Sequence, residues 1–187
     1  MYPWSRTFAA SPPAARALAL GCCLALAGAV TAEARGFRGV AWGATPEEVR
    51  AAEKLPLHHD LEHEIAYWNF EFAGVEAGLV YAFEAGRLVE ARYVSRHATD
   101  DPAEDLADYE SFRATLDEHF GTHVVEEWVW ADGEARGAPE DPLRALTSGA
   151  AKLVSSWRIE GSRLELLIAG SDGAVRTVRA IFRPPAS

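Results

Sequence analysis

Residues 66–93 read AYWNFEFAGVEAGLVYAFEAGRLVEARY, and this stretch decides the fold class. Ala66, Trp68, Phe70 and Phe72 alternate along it, then Ala77, Leu79, Tyr81 and Phe83, then Val89, Ala91 and Tyr93, with Ala73-Gly74 and Ala85-Gly86 between the runs. A period of two broken by short glycine turns predicts antiparallel hairpins with one face buried. The pattern returns at residues 124–130, 154–159, 163–169 and 175–182, where Ser171-Asp172-Gly173 supplies the last hairpin turn.

A helix start precedes each series of strands. Thr45-Pro46-Glu47-Glu48 offers a capping threonine, a proline suited to the first helical position and a glutamate that reaches back to the cap. Asp101-Pro102-Ala103-Glu104 repeats the arrangement with aspartate, and Leu106, Tyr109, Phe112, Leu116 and Phe120 then step at helical spacing up to Gly121. Acids in a first turn face the positive end of the helix dipole, so the run over 99–108 reads as a solvated helix start rather than a calcium loop. Asp141-Pro142 opens a further short helix that ends near Gly149. The expected class is α+β, with tandem helix-plus-antiparallel-strand units and the helices on one face of the sheet.

The chain of 187 residues has 18 basic and 28 acidic side chains, a formal net charge of −10. Nucleic-acid affinity comes largely from cations neutralising phosphates, so no nucleic-acid partner is expected. Residues 1–16 carry Arg6 and Arg16 and no acid, residues 17–30 are free of charge and proline, and Ala32-Glu33-Ala34 has the small-x-small pattern of a cleavage site. These features define a secretory signal over 1–34. Its apolar run is shorter than the ~20 residues a spanning helix needs, so no integral membrane span is expected after cleavage. Leu20-Gly21-Cys22 only loosely fits a lipoprotein box, and lipidation is not expected. Cys22 and Cys23 are the only cysteines, so a single domain over 35–187, with repeats at 36–98 and 99–187, must be held by its core rather than by disulfides.

Phe37-Arg38-Gly39-Val40-Ala41-Trp42-Gly43-Ala44-Thr45, leading into Glu47-Glu48-Val49, resembles the opening of a group of uncharacterised bacterial secreted or periplasmic proteins. In that group a W-G-x-[ST] turn enters a helix. Tyr81-x-Phe83, Gly86-x-Leu88, Phe120-Gly121 and Trp128 fall in the same order as in that group. The hook capped by Thr45 also resembles the repeat start of beta-lactamase inhibitor proteins and of the small lipoproteins of the outer-membrane barrel-assembly machinery. That resemblance implies a helix-and-sheet binding protein of the bacterial envelope and transfers no catalytic residue. The region after residue 34 lacks the cysteines of both groups, so the likeness bears on fold more than on function.

Two sets of residues carry the functional expectations. His59-x-x-Glu62-His63 has the H-x-x-E-H spacing that, on a helix, places two imidazoles on one face for zinc and a glutamate as base. His59 and His63 are therefore the candidate metal ligands, with a small metal-dependent hydrolase as the alternative function. Trp68, Trp128 and Trp130 are the candidate partner-binding residues, because indole rings rimmed by charge anchor interfaces; their other role is to fill the core. No G-x-S-x-G elbow or glycine-rich phosphate loop occurs, and no cofactor is expected. The leading expectation is a non-catalytic protein-binding or inhibitory module whose partner is another envelope or secreted protein. A binder of a small apolar envelope ligand, held between helix and sheet, is the third. The signal reading predicts that protein recovered from the exporting host begins at Arg35; N-terminal sequencing that returns Met1 overturns it.

Overall fold

The computed structural model describes residues 36–96, 101–171 and 174–186, with no side chains described at 171 and 174–176. The expected signal segment, Cys22, Cys23 and the Asp172-Gly173 turn lie outside the described residues. The caps form as their chemistry dictates. Thr45 is extended, its hydroxyl accepts from the Glu48 N–H, and the Glu48 carboxylate accepts from the Thr45 N–H at 2.8 Å, opening α1 (Pro46–Ala52). Asp101 accepts from the Ala103 N–H at 2.9 Å at the head of α2 (Pro102–Phe120), which ends at Gly121 with φ 82°. Asp141 accepts from the Arg144 N–H at 3.0 Å to start α3 (Pro142–Thr147).

Among the described residues nine strands form one antiparallel sheet, so the fold is α+β with sheet predominating. They are β1 (Leu57–Leu61), β2 (Glu64–Phe72), β3 (Val75–Glu84), β4 (Arg87–Ser95), β5 (Val125–Trp130), β6 (Ala135–Arg136), β7 (Ala151–Ile159), β8 (Ser162–Ser171) and β9 (Ala174–Arg183). Their order is β1-β2-β3-β4-β9-β8-β7-β5-β6. The β1–β4 meander therefore meets a five-stranded half, in which β5 lies between β6 and β7, where β4 pairs with β9 through Ala91↔Phe182, Arg92↔Ile181, Tyr93↔Ala180 and Val94↔Arg179.

The inner face is apolar and carries α2 and α3. Tyr81, Leu88, Leu164, Leu166, Ile168 and Phe182 pack there with Val49, Tyr109, Phe112, Leu116 and Leu146 of the helices. Polar pins fix α2: the Tyr109 hydroxyl meets Ser155 Oγ at 2.7 Å, and Ser155 donates to Glu126, which also accepts from Arg113. The Trp42 indole N–H donates to Gly161 O at 3.1 Å and to Ser162 Oγ at 2.9 Å, tying the N-terminal hook to the β7–β8 turn. The same hook pairs with the start of β4 through Gly43 N–H to Leu88 O and Leu88 N–H to Ala44 O.

Two register shifts correct the simple alternation. Between Tyr67 and Phe70 the β2–β3 pairing slips, with Asn69 at φ 65°. Such a bulge exchanges the faces of the residues beyond it. Ala66 and Trp68 therefore lie on the outer face, whereas Phe70 and Phe72 turn inward. A second shift, between Ala82 and Phe83, brings Leu88 rather than Val89 into the core. The segment around His59 differs too: it is the β1–β2 hairpin, not a helix or a solvated connection.

Trp68 lies flat over Gly78, where an added Cβ would come within 1.9 Å of the indole ring. The Arg96 guanidinium lies over the same indole, 4.8 Å from its centroid, and the His58 ring stands nearly perpendicular to it. Gly78→Ala must lift the ring, and overpacking of this kind costs about 1–3 kcal/mol. Urea denaturation checks this, and a variant as stable as the parent would show that the indole contact is slack.

Candidate functional site

The hairpin geometry separates the H-x-x-E-H residues. His59 lies within β1 and its Nε2 is 3.0 Å from the Glu64 carboxylate, while Glu62 and His63 sit in the exposed turn. The helical face that this spacing needs for zinc is missing. Among the described residues no group of three or more His, Cys, Asp or Glu is placed to hold a metal ion.

The three tryptophans do not share a surface. Trp128 pairs with Leu153 and Trp130 with Ala151, which puts both on the inner face, and Trp128 packs against the core. Trp68 is on the outer face, with β3, β4, β9, β8 and β7 between its strand and theirs. All three are half-buried. The indole N–H groups of Trp68 and Trp130 meet no acceptor among the described residues.

What the inner face does assemble is a cleft of about 570 Å³ over the β4–β9 seam. Phe37 of the hook, Phe72 of β2, Tyr93 of β4 and Phe182 of β9 meet Leu116 and Phe120 of α2 and Ile159 of β7. The rings support one another: Phe72 stacks on Tyr93 at 4.2 Å between centroids, and Phe37 lies 4.6 Å from Phe182. Phe120, which sequence periodicity assigns to the core, is 42% exposed at the mouth. Polar groups are few and peripheral: Arg38, Thr115, His119, Glu160 and Ser162. The α2 stripe and the strand alternation each mark these residues as apolar, but nothing in the sequence shows that segments from 37 to 182 leave a space between them.

Behind the cleft a charged clamp sets the hook in place. Glu53, at the C-cap of α1, has a side chain only 6% exposed and takes Arg38 Nε at 3.1 Å, the Tyr81 hydroxyl at 3.0 Å and the Lys54 N–H at 3.0 Å. Burial opposes ionisation of Glu53, but the Arg38 guanidinium and the other donors outweigh it and hold its carboxyl below the usual glutamate value. Burial, then the neighbouring carboxylate, push the Tyr81 hydroxyl well above the ordinary tyrosine range. Arg38 also reaches the Tyr93 hydroxyl at 3.5 Å. One carboxylate thus links the hook, α1, β3 and, through Arg38, the aromatic wall of the cleft. Arg50 holds α1 to β1 in parallel, with two 2.7 Å contacts to Asp60.

No protein-family model, curated protein or solved structure matches this chain. Among the described residues no helix is long and apolar enough to cross a membrane.

The Glu53 clamp has a signed pH dependence. A carboxyl depressed on folding adds stability above its unfolded value of about 4.3, and that stability is lost as pH falls through the lower folded value. Glu53→Gln should cost about 1.5–3 kcal/mol at pH 7, the range for hydrogen bonds to a charged group, with the difference shrinking below about pH 4. Urea melts at both pH values check this; a difference that persists unchanged in acid would assign the loss to packing.

Proposed function

We propose that this is an exported, non-catalytic binding protein of the bacterial envelope that holds a small apolar ligand in the cleft between α2 and the sheet. The cleft itself carries the reading. Its volume of about 570 Å³ lies within the usual range of small-molecule sites. Its walls are rings and aliphatic side chains, with polar groups at the margin that orient a ligand. A ligand there gains from leaving water, at roughly 25 cal/mol per Å² of apolar surface buried.

We read the two halves of the sheet, each preceded by a capped helix, as tandem units, with the cleft lying where they join. Export rests on the signal-like residues 1–34, and the bacterial envelope on the resemblance of the hook. A protein-binding face made jointly from Trp68, Trp128 and Trp130 is less well supported, because those rings lie on opposite sides of the sheet. The hydrolase reading lacks the helix that its histidine spacing requires.

The test uses a neutral fluorescent probe, N-phenyl-1-naphthylamine, and a variant that fills the cleft. Thr115 lines it from α2 and is half-buried, so Thr115→Trp should occlude the space with little effect on folding. The parent should bind the probe saturably, and Thr115→Trp should weaken binding by about tenfold or more, equivalent to ~1.4 kcal/mol. Circular dichroism and the melting temperature should stay close to the parent values. Undiminished probe binding in a folded Thr115→Trp protein would rule out the cleft as the ligand site.

A further inference from the structure

The outer face of the sheet carries a row of arginines that the fold itself does not explain. Arg158 of β7 pairs in register with Arg163 of β8, and Arg163 with Arg183 of β9. Residues directly opposite in an antiparallel pair have their Cβ atoms about 4.5–5.5 Å apart, and like charges there destabilise the sheet. Arg183 is compensated by Glu90 at 2.8 Å and Glu165 at 2.9 Å. The other two are not. Among the described residues Arg158 makes no ion pair, and Arg163 donates only to the Pro184 carbonyl at 3.3 Å. In a chain of net charge −10, two adjacent guanidinium groups free of carboxylates stand out, since acidic residues to neutralise them are abundant.

A second feature adjoins them. Val124 and Val125, 58% and 43% exposed, lie beside the arginine pair along a shallow groove of about 280 Å³ that also includes Ser156 and Glu165. Val125 pairs with Ser156, one row along the outer face from Arg158. The groove therefore has a cationic end and an apolar end.

We infer that Arg158 and Arg163 form a binding site for an oxyanion, of the phosphate-monoester type, carried on an apolar body that lies against Val124 and Val125. Guanidinium forks match the geometry of phosphate oxygens, and two of them one strand spacing apart can hold one group between them. The bound anion supplies the neutralisation that the sheet lacks at this row. Glu165 is held by Arg183 and leaves the two free arginines to the ligand. This site is on the opposite face from the cleft and does not depend on the function proposed for it.

Calorimetric titration of the purified protein with phenyl phosphate and with inorganic phosphate, in chloride buffer, tests the inference. Phenyl phosphate should bind saturably. The double variant Arg158→Gln/Arg163→Gln should lose affinity by about tenfold or more, the worth of a charge-assisted contact. Its melting temperature without ligand should equal or exceed that of the parent, because the repulsion is gone. Arg179→Gln, which removes an exposed arginine from the same face, should bind as the parent does. Tighter binding of phenyl phosphate than of inorganic phosphate supports the apolar body. Equal affinity overturns that part and makes free phosphate the ligand. The site itself is overturned by absence of saturable binding, by equal loss in Arg179→Gln, or by a lower melting temperature in the double variant, which would make the arginine row structural.

Discussion

The four register pairs between β4 and β9 are the constraint on which the rest of the structure depends. Without them the sheet would be two separate halves, of four and of five strands, each with an exposed edge at its last strand. With them, Tyr93 and Phe182 come onto one face, 6.0 Å apart between ring centroids, and Phe37 from the N-terminal hook seats against both. Polar contacts add to the apolar seating of the hook. Trp42 fixes its far end to the β7–β8 turn, and Arg38 ties its near end to Glu53. Seam, hook and α2 together leave the aromatic cleft, which is why its lining comes from both halves of the sheet.

The two faces of the sheet divide the chemical work. The inner face buries rings and aliphatic chains beneath the helices. The outer face is covered largely by its own long side chains. Glu64 accepts from Arg92 and lies within reach of His59, Arg92 also meets Glu90, and Glu90 meets Arg183. This chain of charges crosses the sheet from β1 to β9 and shields small or branched residues such as Ala66, Val80 and Ile181, which are nearly or fully buried despite lying on the outer face. Partly exposed ion pairs of this kind contribute little individually. Here their aliphatic stems act as the second cover of the sheet.

Much of the fold was legible in the sequence. The helix caps at Thr45 and Asp101, the end of α2 at Gly121 and the turns at Ala73-Gly74 and Ala85-Gly86 arise from local chemistry, although Ala73 and Ala85 adopt the left-handed backbone (φ 57° and 48°) more often given to glycine or asparagine. The polar β1 strand was not legible, because Leu57–Leu61 has no alternation and is a strand only by virtue of pairing with β2. Nor were the bulges. A period-two reading assumes an unbroken register, and one extra residue at Asn69 separates Trp68 from Phe70. The cleft was hidden for another reason: side-chain patterns show which residues leave water, but not where packing stops short.

The open sheet ends on two edges of different character. At one, β1 is five residues long, carries a register shift and presents His58, His59 and Asp60. At the other, β6 is two residues long and bears Arg136, which salt-bridges Asp132 and Glu134. Neither offers the long, flat, apolar template that invites another chain to add on. The shortness and irregularity of its outermost strands thus limit the pairing that either edge of the sheet can offer to another chain.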